Sequence, residues 1–398
     1  MENITVRQYL ESMILSREIV DRFLDPGAYN WAAFDSELGY RLRDCVIQNG
    51  VDSSCTFNHY QPSGERRMVN YAEQPCRINT YGDSIVQCHQ VSDGETWQEY
   101  LAAHLGEPVR NLGVGGYGVY QSYRRMLKIE DSALSAEYIL LNVHTDDHYR
   151  GIYKWRMLHI PEFIKIYVAK TRRQTCMFHT NPWAHVRLNQ HTGQFEEQEN
   201  PYSTPESLYL LCDKDHVYDA FKDDFDIQAM LAQKGARDIR YDLLENIAQI
   251  LDVPVNFNSP ESTAHSAKHL LHVYAVRATM FILENLVTFI KPRNKKLMLM
   301  LNYSQSETIG LLKGTIKPDM LFLDYLQEKS YRFVDTRLNH EQDFRSFNLS
   351  VEEYAQRYYV GHYNPRGNHF IAFSIKDAVV EWLDQKPPAY RGEAYFNQ

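Results

Sequence analysis

Residues 138–143 read Tyr-Ile-Leu-Leu-Asn-Val, and residues 144–148 follow as His-Thr-Asp-Asp-His. An almost unbroken apolar run of this length suits a strand buried on both faces, as in a parallel sheet; a strand with one wet face would alternate. The abrupt change to polar residues sets titratable side chains at the carboxyl end of that strand, the edge where open parallel sheets bind ligands.

The same texture recurs on either side. Arg77 to Tyr81 forms a short strand that runs into Gly82-Asp83-Ser84, and Ser92 with Glu95 makes a capping box for a helix holding Trp97, Leu101 and Leu105. A strand near Val109 to Val114 ends in Gly115-Gly116-Tyr117-Gly118, and a helix follows over roughly Gln121 to Lys128. Further on, Lys296 to Tyr303 and Tyr331 to Thr336 read as strands, and Phe370 to Leu383 as a closing helix. This alternation predicts an α/β fold with a parallel sheet. Residues 151–290 interrupt it. Their strand candidates are Thr175 to Phe178 and Ala184 to Leu188, among helical patterns at Ile227 to Gln233, Asp238 to Leu251 and Ser266 to Phe289. At the start, Val6 to Leu24 carries apolar residues at helical spacing, with Thr5 as cap and Asp25-Pro26-Gly27 as stop. The predicted organisation is an N-terminal helix with an irregular extension (1–76), a core made of 77–150 and 291–398, and a mostly helical insertion (151–290). The insertion begins immediately after the polar loop, a position from which it would cap a site there.

The chain has 398 residues, 44% of them hydrophobic, enough for a substantial core. A net charge of -9 without any basic stripe argues against a nucleic-acid partner. The apolar stretch Leu270 to Ile290 contains His272, Arg277 and Glu284, so it reads as a buried helix and not as a membrane span. No basic and apolar leader opens the sequence, and the six cysteines form no CxxC pair. These features predict a cytoplasmic protein with reduced thiols.

The chemistry gathers at the predicted strand ends. Ser84 falls between a strand and a helix, where helix N–H groups and the positive end of the dipole favour a developing oxyanion. Gly116 lets backbone approach a substrate closely. His362 lies in Gly361-His362-Tyr363-Asn364-Pro365, ahead of the last helix, and His369 is its rival as a base. Four blocks in this order, YGDSIVQC (81–88), NLGVGGYG (111–118), HTDD (144–147) and GHYNPRGNH (361–369), resemble those of the SGNH (GDSL-type) hydrolases. The resemblance covers roughly 77–150 and 330–383. It implies a three-layer α/β/α core, a serine esterase activity that needs no metal or organic cofactor, Ser84 as nucleophile and His362 as base. It also implies an oxyanion hole built from the N–H groups of Ser84 and Gly116 and an asparagine side chain.

Two positions depart from that pattern. Asp146 stands where the asparagine is expected, and an ionised carboxylate accepts hydrogen bonds without donating any. The family's aspartate upstream of the histidine is replaced by Tyr359 and Val360. Asp335, at the end of a predicted strand, is the substitute triad acid; a Ser–His dyad oriented by a backbone carbonyl is the equal alternative. His144, Asp146, Asp147 and His148 also read as loop ligands for a metal, and His265, His269 and His272 share one helix face, but neither spacing is diagnostic. The expected function is hydrolysis of an acyl ester on a sugar or small natural product. An acyltransferase using the same serine and a non-catalytic binding protein are the rivals.

Overall fold

The computed structural model describes residues 4–160 and 181–391; the predicted strand Thr175 to Phe178 lies outside them. The chain divides into two compact units, one of residues 43–147 and 283–398, the other of 1–42 and 148–282. The N-terminal extension is thus split near residue 42, where the sequence reading kept 1–76 together.

The first unit is α/β. Its central strands are β1 Ile78–Tyr81, β2 Arg110–Asn111, β3 Tyr138–His144, β4 Lys296–Asn302 and β5 Phe333–Asp335; two short hairpins, Cys45–Gln48 with Cys55–Asn58 and Tyr359–Val360 with His362–Tyr363, stand outside their sheet. Its helices are α1 Ser84–Gln87, α2 Trp97–Leu105, α3 Val119–Glu130, α4 Thr145–Arg150 (which runs on past residue 147), α5 Gln305–Leu312, α6 Met320–Glu328, α7 Thr336–Phe344, α8 Val351–Tyr358 and α9 Pro365–Trp382. The five central strands form one sheet in the order β2-β1-β3-β4-β5, and every pairing within it is parallel. The chain lays β2 on one side of β1 and β3 on the other. That reversal opens a crevice at the carboxyl ends of β1 and β3. Tyr81 pairs with Leu141 and Asn302 with His144, so Gly82-Asp83-Ser84 and the loop after β3 leave the sheet as neighbours.

Every residue of β3 is buried, as its apolar run requires. Alternation sends Ile78, Tyr138, Leu140, Met298 and Met300 into a core with Trp97 and Leu101 of α2 and Ile371 and Ile375 of α9. The opposite parity of β1 faces α3: Asn79 Nδ2 and Tyr81 Oη reach Glu130 Oε1 at 2.7 and 2.6 Å, and Lys295 Nζ meets Glu130 Oε2 at 2.7 Å.

Several elements are shorter than their patterns. The Ser92–Glu95 capping box closes on a single 3₁₀ turn, Asp93–Glu95, and α2 itself is capped by the Thr96 hydroxyl. The strand expected at Val109 to Val114 contracts to Arg110–Asn111 because Gly113 is pressed onto α1. A Cβ at that glycine would lie 2.3 Å from the Gln87 amide nitrogen.

The segment 43–76 has a definite task. Its Arg66 amide bonds the Asn111 carbonyl at 2.9 Å, which lays the segment along β2. The Arg66 side chain is almost fully buried. It gives Nε to Asp93 at 2.9 Å, Nη1 to the carbonyls of Gln87 and Cys88 at 2.5 and 2.9 Å, and Nη2 to that of Val91 at 2.6 Å. The loop after α1 is therefore wrapped around a guanidinium.

The second unit joins short hairpins, Ala32–Asp35 with Gly39–Leu42 and His185–Leu188 with Phe195–Gln198, to the helices Lys214–Phe221, Phe225–Gln233 and Tyr241–Ile250. The single helix expected over Val6 to Leu24 is two, Val6–Glu11 and Arg17–Leu24. Ser12 turns its hydroxyl back to the Tyr9 carbonyl and Ser16 caps the second helix. Buried Asp224 is paired with Arg187 and, at 3.1 Å, with Lys154. The helix that begins at Pro260 passes the length and composition test for a membrane span, yet 56% of its most apolar window is buried within the protein. The cysteines at 45, 55, 76, 88 and 212 carry free thiols.

Removing the guanidinium leaves the carbonyls of Gln87, Cys88 and Val91 without this donor and leaves Asp93 paired with His59. Arg66→Ala is expected to cost about 3–5 kcal/mol, the range for breaking a buried ionic pair, measured by urea unfolding of both proteins. A loss under about 1 kcal/mol, the worth of an exposed pair, would contradict this assignment.

Candidate active site

The site starts from a turn that tolerates little change. Gly82 has φ +152°, and a Cβ there would stand 2.8 Å from the Asn142 Cβ on β3 and 2.6 Å from Val86. Next, Asp83 caps α1 by accepting the Ile85 amide at 2.9 Å, and Ser84 is the first residue of that helix. The Ser84 amide donates to no group among the described residues, as expected of a first-turn helical N–H. The glycine turn lies alongside. A Cβ built on Gly115 would come 3.5 Å from Ser84 Cβ, the Gly115 amide donates to Gln87 Oε1 at 2.7 Å, and buried Gly116 takes φ +90°.

The partner of Ser84 is His362. Its Nε2 lies 2.9 Å from Ser84 Oγ. His362 sits on a small hairpin in which Tyr359 and Val360 pair with Tyr363 and His362 across Gly361, at φ +101°. The hairpin is held from beneath by hydroxyls: Tyr359 Oη donates to Tyr363 Oη at 2.7 Å and lies 2.8 Å from Thr308 Oγ1, and Tyr363 Oη lies 3.0 Å from His340 Nε2. His340 Nδ1 meets Tyr354 Oη at 3.0 Å, and burial holds the His340 pKa down to about 3, so this ring is a neutral member of the network. Asn364 caps α9 on the Gly367 amide at 2.9 Å. Gly367 is obligatory there, because a Cβ would fall 2.2 Å from the Tyr358 carbonyl oxygen.

The other side of the imidazole faces Gln90. His362 Nδ1 lies 3.2 Å from Gln90 Oε1, which also accepts the His362 amide at 2.7 Å, and Gln90 Nε2 donates to the Asn49 carbonyl at 2.8 Å. Asp335, the acid expected from the sequence, is engaged elsewhere. It accepts Tyr303 Oη at 3.0 Å, the Arg337 amide at 3.0 Å and the Arg337 guanidinium at 3.1 Å. The sequence carries no signal for Gln90, since a search for a triad acid looks for carboxylates and Gln90 belongs to no periodic element. His369 lies on α9 against Tyr100 and Phe373, with ring centroids 5.1 and 4.9 Å apart. It lines a cavity of about 760 Å³ with Tyr100, Arg357 and Phe373, to which neither Ser84 nor His362 contributes.

Asp146 is exposed on the first turn of α4, with its amide 3.3 Å from His144 Nδ1. Burial therefore does not supply the protonated carboxyl that a donor role at Asp146 would need. Below it, Asp83, His144 and Asp147 are buried with one ligand-type atom each, all within 4.8 Å of one another. This is the group of metal-ligand spacing found among the described residues, and neither His148 nor the helix histidines 265, 269 and 272 belong to it. It does not fit a metal ion. His144 Nε2 is 2.7 Å from Glu307 Oε2, and Asp147 Oδ2 accepts the His144 amide at 2.9 Å. Burial disfavours the charged imidazole, but the hydrogen bond and charge of Glu307, with Asp83 and Asp147, outweigh it and hold the His144 pKa up at about 9. A protonated ring is no metal ligand, and both its nitrogens already face partners, Nε2 on Glu307 and Nδ1 beside the Asp146 amide. The acidic pocket has its cation built in.

A polar line crosses the sheet at this level. Asn142 Nδ2 donates to Asp83 at 3.3 Å, Asn302 Nδ2 to Asn142 Oδ1 at 2.8 Å, and Thr336 Oγ1 stands 2.9 Å from Asn302 Oδ1. Comparison of the sequence with protein-family models finds no match, and none is found among curated proteins.

The His144–Glu307 pair makes stability depend on pH. The folded pKa of His144, about 9, exceeds its unfolded value of 6.5, so its contribution is complete below about pH 6.5 and is lost as pH rises through 9. Burial opposes the charge on Glu307, but His144 and Ser304 pull its pKa down to about 2 from 4.5. The acid-side loss therefore comes as pH falls from 4.5 through 2. The stability gap between wild type and Glu307→Gln should reach about 3 kcal/mol near pH 6 and shrink toward pH 9. Chemical denaturation at pH 6 and 9 checks this; a gap that does not shrink contradicts a charged His144.

Proposed function

We propose that this chain is a serine ester hydrolase of SGNH type, with a three-layer α/β/α core and Ser84 and His362 as its reacting pair. The observation that carries the reading is the 2.9 Å contact between Ser84 Oγ and His362 Nε2. It stands at the carboxyl edge of a parallel sheet, beside the point where the strand order reverses. The four sequence blocks and their order support the same reading.

In this mechanism His362 Nε2 accepts the Ser84 proton as Oγ attacks the acyl carbon of an ester. The oxyanion of the tetrahedral intermediate is met by the Ser84 amide, aided by the start of α1, and by the Gly116 amide. His362 then returns its proton to the leaving alcohol. Water, deprotonated by the same imidazole, releases the acid from the acyl-enzyme. Asp146 contributes no donor in this scheme, so the hole works with backbone groups.

Two substitutions test the reading. Ser84→Ala should abolish ester hydrolysis and fluorophosphonate labelling with the melting temperature retained. Turnover like that of the wild type, or absence of labelling in the wild type, would refute it and favour a non-catalytic binding protein. Asp146→Asn sets an amide donor where a carboxylate now stands. Since one such donor is worth about 10²–10³ in rate elsewhere, kcat should rise; an unchanged kcat takes Asp146 out of the oxyanion hole.

A further inference from the structure

The imidazole of His362 is gripped on the side away from Ser84 by a residue that carries no charge. We propose that Gln90 is the positioning residue of the base, a neutral carboxamide doing the orienting that a triad assigns to a carboxylate. The inference rests on the Ser84–His362 reading and adds a residue, a tautomer and a pH behaviour to it.

The carboxamide cannot be reversed. Its Oε1 faces the His362 amide N–H at 2.7 Å and Nδ1 at 3.2 Å, while its Nε2 faces the Asn49 carbonyl at 2.8 Å. Turned over, it would set an NH₂ group against a backbone N–H and an oxygen against a carbonyl oxygen. With Oε1 in place, Nδ1 is the ring nitrogen that carries the proton, and Nε2 presents its lone pair to Ser84. Gly361 makes the approach feasible. Its φ of +101° turns the hairpin, and a Cβ there would lie 2.9 Å from Gln90 Oε1.

A carboxylate at Nδ1 would also stabilise the imidazolium formed during attack; a carboxamide stabilises it less. A carboxylate placed at position 90 would therefore favour the protonated imidazole and raise the pH at which the base is freed. Among the described titratable and charged groups, His89 lies 5.2 Å away between ring centroids, the Asp83 carboxylate accepts from Ile85 and Asn142 and lies beside His144, and Arg366 in the first turn of α9 is exposed.

The test uses the full-length protein and three readouts. With ¹⁵N-labelled histidine, NMR should show His362 protonated at Nδ1 in the wild type and a mixed tautomer in Gln90→Met. That substitution should lower kcat and the fluorophosphonate labelling rate by about 10²-fold or more with KM little changed. Gln90→Glu restores an acceptor as a carboxylate; it should retain turnover at alkaline pH and move the acid limb of the kcat/KM profile upward by about 1–3 pH units. A side chain that merely braced the loop would alter melting without moving that limb. A fixed Nδ1–H tautomer with wild-type rates in Gln90→Met, or an acid limb unmoved in Gln90→Glu, overturns the proposal. Absence of labelling in the wild type instead condemns the Ser84 reading, and the tautomer measurement then judges the hold of Gln90 on His362 separately.

Discussion

A helix of four residues ends before it can satisfy its own carbonyls, and the buried guanidinium of Arg66 makes up the deficit. α1 has room for little more than Ser84 and the turn that presents it, and Cys88 leaves it in a left-handed conformation. The carbonyls of Gln87, Cys88 and Val91 then point into the protein, where each unmet acceptor costs about 1–3 kcal/mol. Arg66 answers all three, and its charge is balanced by Asp93. Because Gln90 stands within that loop, the same guanidinium fixes both the end of the serine's helix and the residue that touches the histidine.

Two further networks hold the pair from other sides. The line from Asp83 through Asn142 and Asn302 ties the serine turn to the central strands, and the hydroxyls of Tyr359 and Tyr363 tie the histidine hairpin to the neutral ring of His340. Beneath the turn, His144 balances its surrounding carboxylates. Each of these groups is buried and each has a partner, the condition under which polar interiors specify one arrangement instead of loosening it.

Much of this was legible in the sequence where burial is regular. The apolar run of β3, the alternating Met298 and Met300 of β4, and Gly82 and Gly116 at strand ends follow from local rules about which faces meet the core and which backbone angles need glycine. Ser84 and His362 were legible through their blocks, and the structure brings them into contact. What escaped depends on contacts between distant positions. Asp335 looked like an acid at a strand end, but Arg337 and Tyr303 claim it. Gln90 has no pattern, because its role is defined by Gly361 and Asn49. The segment 28–76 read as loops and short strands, and it holds two short hairpins; the role of its Arg66 depends on carbonyls that no local pattern announces. Val6 to Leu24 kept a helical period through a break that Ser16 recaps, since periodicity survives a kink that capping chemistry creates.

The fit of Gly361 against Gln90 has a consequence for how this sequence can change. Any side chain at position 361 must find room where Oε1 now lies, and it must also accept a backbone angle that side chains avoid. A residue at position 90 without a side-chain oxygen surrenders the acceptor that faces the His362 amide and Nδ1. The two positions, far apart in the chain, thus constrain each other through one contact.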